Sequence, residues 1–248
     1  MKVVTHDDFL EVYAREPAAA PGRLESVLAV LRGEVSIEEA YPAGEDDILA
    51  VHSKDHVQSV TRMGLYKIAA LAAGAAIQTA LTGLKEPCFG LIRPPGHHAS
   101  CDHAWGFCYF NNMAIALEHL RTAGHIKRAF VLDFDMHYGD GTVNILGQKE
   151  YVTIYNPDRD HRDDYLNEVR ATLEVIETDV IGVSAGFDNH VLDWGRLLLT
   201  EDYREIGRMV HAACKRLNIG CFALLEGGYN HNVLGTNVQA FLKGMHGH

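Results

Sequence analysis

From residue 89 onward, short apolar runs alternate with amphipathic stretches of helical length. No other feature constrains the fold as much. Phe89–Ile92, Ala129–Leu132, Val152–Tyr155, Val180–Val183 and Cys221–Leu225 have the length and apolar continuity of buried strands. Between them Asn111–Ala123, Arg162–Glu177, Thr200–Leu217 and Asn230–Leu242 predict helices. Thr200 is expected to cap the third of these alone, because Tyr203 rather than Glu or Gln stands three residues on. Strands that are apolar on both faces need cover on both faces, so the alternation predicts an α/β fold with a parallel sheet between helices. The Ala-rich run Ile68–Leu84, interrupted by Gly74, Gln78, Thr79, Thr82 and Gly83, reads as a buried helix too short and polar to span a bilayer. Pro17–Gly22 and Tyr41–Asp47 are the expected flexible stretches. No linker-like break follows residue 50, so residues 1–248 are expected to form one domain.

Charge and cysteine usage exclude several function classes. Acidic residues outnumber basic ones 33 to 22, for a net charge of −11, and no Lys/Arg cluster is present to grip phosphates. A nucleic-acid binder is therefore disfavoured. The five cysteines show no Cys-x-x-Cys spacing and are odd in number, which argues against a zinc finger or a disulfide scaffold. His6, Asp7 and Asp8 stand where a secretion signal needs a basic start and an apolar stretch. A cytoplasmic protein with no membrane partner is expected.

The polar motifs sit where the predicted strands end. Arg93-Pro94-Pro95-Gly96-His97-His98 follows the first strand and Asp133-Phe134-Asp135-Met136-His137 the second. Ser184-Ala185-Gly186-Phe187-Asp188 follows the fourth, and Glu226-Gly227-Gly228-Tyr229 the fifth. In open parallel sheets ligands bind at the carboxyl ends of the strands, so four motifs there predict one site.

In an extended segment alternate side chains share a side, so Asp135 and His137 could face one ion. Asp188, at another strand end, is the natural third donor. Two carboxylates, one imidazole and an open position describe a catalytic divalent-metal site. Read alone, Asp133 and Asp135 serve equally well as strand-end turn or cap residues. His97 and His98 follow a stiff Pro-Pro-Gly lead that can present two imidazoles to a cleft. Histidine suits both the base that takes a proton from water and the acid that protonates a leaving amine. Asp133 and Asp140 are available to hold the second imidazole nitrogens. Tyr229 could donate to a substrate oxygen, and Phe107, after Gly106, reads as a slot wall or as a core aromatic. Cys101 and Cys108 are expected bystanders, His246 and His248 a tail, and Asp158–Asp164 a solvated loop.

Five motifs in order over residues 93–230 resemble the histone deacetylase family, which includes the acetylpolyamine amidohydrolases. They are Arg93–Ala99, Gly106–Asn112, Asp133–Thr142, Ser184–Asp188 and Glu226–Asn230, with fainter echoes at Pro21–Leu24 and Val51–Ser53. The resemblance implies an arginase-like three-layer α/β/α sandwich around a mostly parallel sheet. It implies zinc held by Asp135, His137 and Asp188, a donor set that also accepts Fe(II). It pairs His97 with Asp133 and His98 with Asp140, with His98 the principal base and acid. Tyr229 would polarise the amide carbonyl, and Gly106 and Phe107 would line the acyl slot. The implied reaction is hydrolysis of an N-acetyl amide on lysine or a small amine, and the family also implies a structural potassium ion.

The chain departs from the family at three places. Tyr138 replaces a histidine, Tyr155-Asn156-Pro157 leads into a short charged segment, and Asp193-Trp194-Gly195 carries no Glu gatekeeper. Three other functions compete. The acetylpolyamine amidohydrolase reading lacks that gatekeeper. An arginase-type dinuclear hydrolase needs more carboxylate than Asn189-His190 supplies. A silent acetyl-lysine binder is the third, although no residue needed for catalysis is missing.

Overall fold

The computed structural model describes residues 1–248. Seven strands form one sheet: β1 Lys2–Thr5, β2 Ser36–Glu39, β3 Cys88–Gly90, β4 Ala129–Asp133, β5 Val152–Tyr155, β6 Val180–Ala185 and β7 Gly220–Leu225. The helices are α1 Arg23–Leu31, α2 Glu45–Leu49, α3 Lys54–Arg62, α4 Tyr66–Gly83, α5 Asn112–Thr122, α6 Asp140–Leu146, α7 Arg162–Val175, α8 Thr200–Leu217 and α9 His231–Met245. Strand order is β2-β1-β3-β7-β6-β4-β5, and every pairing is parallel. The expected α/β class and layered architecture are both present, with a sheet that is wholly rather than mostly parallel.

Burial explains the order. All residues of β3, β4 and β6 are buried, whereas at the two edges β2 is largely exposed and β5 only partly buried. Central strands of a parallel sheet are covered on both faces and therefore carry unbroken apolar sequence. Helix α4 packs on β1, β3 and β7, with α5 beside it. On the other face α8 packs against α9 and α7, and α1 against α9. Tyr203 of α8 and Phe241 of α9 meet Phe134 and Phe187, just beyond β4 and β6, in edge and tilted contacts. This aromatic cluster lies directly beneath the strand-end motifs and fixes their depth.

The helical ends correct two expectations. Leu199, not Thr200, occupies the N-cap of α8, and the Asp202 carboxylate reaches back to accept the Leu199 N–H at 2.7 Å. Thr200 is already helical and donates its hydroxyl to Asn237 at 2.7 Å, joining α8 to α9. Pro17–Gly22 is packed rather than loose: Ala18 and Ala19 are buried, and Arg93 donates to the Ala20 carbonyl at 2.8 Å. In Tyr41–Asp47, Ala43 N–H bonds to the Ala70 carbonyl of α4 at 2.8 Å, and α2 begins at Glu45. No helix is long and apolar enough to cross a membrane.

Candidate active site

Strands β3, β7, β6 and β4 are neighbours at the centre of the sheet, and each runs into one of the four polar motifs. Parallel order sends all four chains out at the same edge. Residues as far apart in sequence as His97 and Tyr229 are therefore brought to one edge of the sheet.

Asp135, His137 and Asp188 offer donor atoms that all lie within 4.8 Å of one another. His137 Nδ1 lies 3.2 Å from Asp135 Oδ1 and 3.0 Å from Asp188 Oδ2. The second contact lacks hydrogen-bond alignment, so Asp188 Oδ2 is a buried oxygen with no hydrogen-bond partner. Backbone groups hold the other carboxylate oxygens. Gly227 N–H donates to Asp135 Oδ2 at 2.8 Å and Met136 N–H to Asp188 Oδ1 at 3.1 Å. Gly227 must be glycine for this approach, since a Cβ there would stand 2.5 Å from Asp135 Oδ2. Burial, followed by the neighbouring Asp135, pushes Asp188 up to about 6. The hydrogen bond to Asp135 and the close Asp188 carboxylate push His137 up to about 10. Two buried carboxylates side by side call for a positive charge, and without a cation the imidazole takes it. The donor set, its unshared oxygen and its charge all fit a divalent metal.

Beside this cluster stand two imidazole–carboxylate pairs. His97 Nδ1 is 3.1 Å from Asp133 Oδ2, and its Nε2 is 3.8 Å from Asp135 Oδ1. His98 Nδ1 is 2.6 Å from Asp140 Oδ1, at the first turn of α6. The two rings lie 4.0 Å apart yet titrate in opposite directions. Burial works against the charge on His97, but Asp133 and Asp135 outweigh it and hold the ring protonated. Burial, followed by the charge on His97, pushes His98 down to about 4, so it is neutral at pH 7.

Gly106 and Phe107 both take left-handed backbone, with φ of 59° and 68°. A Cβ on Gly106 would meet His98 Cδ2 at 2.4 Å, so the loop passes over the imidazole only because this residue is glycine. Phe107 and Tyr229 face each other edge to face, with ring centroids 5.9 Å apart. Tyr229 is half-buried, and burial followed by Asp135 keeps its phenol protonated well above the ordinary range.

Several residues of the site carried no expected role. Glu226 is fully buried and accepts the N–H groups of Gly96 (2.7 Å) and His97 (3.2 Å), tying the turn before the histidines to the end of β7. Burial raises its carboxyl to about 7. Arg23, in the faint echo at residues 21–24, is fully buried and donates to the carbonyls of Glu226 (2.5 Å) and Gly228 (2.8 Å). Asp193 accepts from the N–H groups of Tyr229 (2.8 Å), Asn230 (2.7 Å) and Trp194 (2.9 Å), so both of its oxygens are held by backbone. Cys108 is more than a bystander, since its sulfur takes the His98 N–H at 3.4 Å. A buried carboxylate beside a Gly-Gly turn was the one available signal for Glu226. Arg23 and Asp193 act on backbone groups that no spacing reveals.

Among known proteins, the histone deacetylase domain matches residues 18–165 and 147–245 of this chain. A protein of Methanothermobacter thermautotrophicus named "Probable deacetylase" is 32% identical over 284 residues, covering 91% of this chain and 85% of the relative. A "Histone deacetylase-like amidohydrolase" of Pseudomonas aeruginosa is 28% identical over 283 residues, covering 87% and 74%. In fold, the crystal structure of the HDA15 HD domain superposes with a TM-score of 0.87 at 24% identity, covering 99% of this chain and 89% of that one.

Proposed function

The chain belongs to the histone deacetylase family, a hydrolase among deacetylases and amidohydrolases, and from this we propose that it removes acetyl groups from acetylated lysine or small acetylated amines with a single zinc ion. One observation carries the metal assignment. Asp188 Oδ2 is buried and without a hydrogen bond, between Asp135 and His137 and beside two imidazole–carboxylate pairs. Zinc, when held by Asp135, His137 and Asp188, supplies Lewis-acid polarisation of the attacking water and of the amide carbonyl.

The remaining chemistry belongs to the chain. His98 gives its Nδ1 proton to the bond with Asp140, so its Nε2 is the free base that accepts a proton from water. The same nitrogen then protonates the leaving amine, completing acetate and free amine. His97, charged between Asp133 and Asp135, stays put and offsets their negative charge. Tyr229 donates its phenol proton to the carbonyl oxygen as negative charge grows there, while Gly106 and Phe107 confine the acyl group. The dinuclear alternative finds no support in the adjoining residues. His190 accepts the Leu192 N–H at 3.2 Å, and the chain assembles one cluster of three donors. The silent-binder alternative sets aside two intact imidazole–carboxylate pairs.

The test is acetate release by the zinc-loaded chain from an acetyl-lysine peptide and from small acetylamines. Failure to release acetate from any of them sinks the reading. Within that assay Tyr229→Phe is expected to lower turnover by roughly 10²-fold, the low end for one such donor, because the phenol is only half-buried. An unchanged rate would place Tyr229 outside the reaction.

Substrate choice follows from the mouth. Trp194 stacks on Tyr229 at 4.1 Å and remains 47% exposed, an apolar plane immediately beside the slot. Asp193, the nearest carboxylate in sequence, is buried and holds three backbone N–H groups, so it presents little surface to a distal ammonium. Acetyl-lysine-like substrates are therefore expected to be hydrolysed at least as well as N-acetylated polyamines. A preference for acetylspermidine of about tenfold in kcat/KM, about 1.4 kcal/mol, overturns this.

A further inference from the structure

The chain has two tryptophans, and both touch residues of the candidate site. Trp194 covers Tyr229. Trp105 does something different. Its indole Nε1–H donates to Asp140 Oδ2 at 2.8 Å while the other oxygen of that carboxylate holds His98 at 2.6 Å. The same indole lies against the His98 imidazole, with centroids 3.9 Å apart and planes inclined by 31°.

We propose that Trp105 is a positioning residue that fixes the rotation of the Asp140 carboxylate and, through it, the orientation and tautomer of His98. The inference rests on the reading of His98 as the base and acid of an amide hydrolase. Three features of the geometry require such a brace. The Asp140 side chain is 41% exposed, so a carboxylate held only by His98 would share its second oxygen with water and rotate about its last bond. An exposed carboxylate restrained at one oxygen sets no direction for the imidazole; restrained at both, it sets one. The imidazole itself has backbone of Gly106 against its edge and the indole against its face, so the group that holds Asp140 also borders the ring that Asp140 orients. Finally, Trp105 is 51% exposed, which is unusual for an indole with a purely structural role, since it leaves half of a large apolar surface in water.

The test separates action through Asp140 from packing and from substrate contact. Trp105→Phe keeps an aromatic face and drops the donor. It is expected to lower kcat by about tenfold while KM changes less than about twofold, because misorienting the base slows the proton transfers without touching binding. In an Asp140→Ala background the same substitution is expected to change kcat by less than about twofold, the non-additivity that marks one shared path. A loss that is equal in both backgrounds, an unchanged kcat, or a change confined to KM each overturns the proposal. A second measurement needs no turnover. The zinc-free protein gives two indole N–H resonances in NMR, and the one lost in Trp105→Phe is expected downfield and protected from exchange in the parent, and shifted in Asp140→Ala. A resonance indifferent to Asp140 overturns the proposal even in an active enzyme. A chain that shows the bond but hydrolyses no acetyl amide contradicts the functional reading instead.

Discussion

Asp188→Asn is expected to abolish zinc binding and to lower hydrolysis by roughly 10³-fold or more, since a Lewis acid in such a site is worth several kcal/mol. Asparagine keeps the shape of the side chain and an oxygen for the Met136 N–H, so the substitution spares the surrounding hydrogen bonds. What it removes is the negative charge and the carboxylate character of Oδ2, a buried oxygen without a hydrogen-bond partner. Because a ligand that binds only the folded state stabilises it by mass action, zinc should raise the Tm of the parent protein and leave that of the variant unmoved. Metal analysis after dialysis against trace zinc gives a second reading. One equivalent of zinc retained by Asp188→Asn would remove Asp188 from the donor set.

His98→Ala is expected to lower turnover by roughly 10²-fold or more with metal content unchanged. The pair of adjacent imidazoles invites the question of which one moves the proton, and the surroundings decide it. His97 is enclosed by Asp133 and Asp135, which keep it charged, and a ring that holds its proton that firmly is a poor base. His98 has one carboxylate partner at 2.6 Å, and burial together with its charged neighbour leaves it neutral at pH 7. Asp140→Asn should produce a milder loss, because the amide oxygen can still accept from Nδ1, although it lends no charge to the imidazolium that forms and its NH2 cannot accept from Trp105. Single-turnover rates beside zinc content measure both. Near-parental turnover in His98→Ala would remove it from the mechanism.

Most of the sheet could be read from residues 89 to 248, where burial on both faces leaves little but apolar residues in each strand. Val152–Tyr155 and Thr200–Leu217 fall as expected, the other expected elements differ by a few residues at their ends, and the short helix α6 (Asp140–Leu146) has no counterpart among the expectations. The first strand ends at Gly90 rather than Ile92, because the chain then turns out of the sheet toward the site. The first 88 residues yielded little beyond the Ala-rich helix. β1 and β2 are four residues each, and Ser36–Glu39 lies at an exposed edge with three polar residues, so neither carries the apolar signature of a central strand. At the site, residues that present chemistry stood out because they break an apolar pattern at strand ends. Residues that hold backbone in place, such as Arg23 and Asp193, did not. Their partners are peptide groups, and peptide groups are the same in every sequence.

Asp193 has one more consequence. Its single carboxylate ties the segment that follows Asp188 to the first residues of the turn that carries Tyr229. The span from Asp188 to Asp193 is therefore a spacer of set length between a metal donor and a phenol on another strand. An insertion or deletion within it would shift the phenol relative to the metal without altering either residue. Any attempt to transplant the mouth of a relative onto this scaffold must then move the two loops together, as one interchangeable part. Homologous recombination between family members faces the same constraint, and crossovers between residues 193 and 229 should yield folded but slow chimeras.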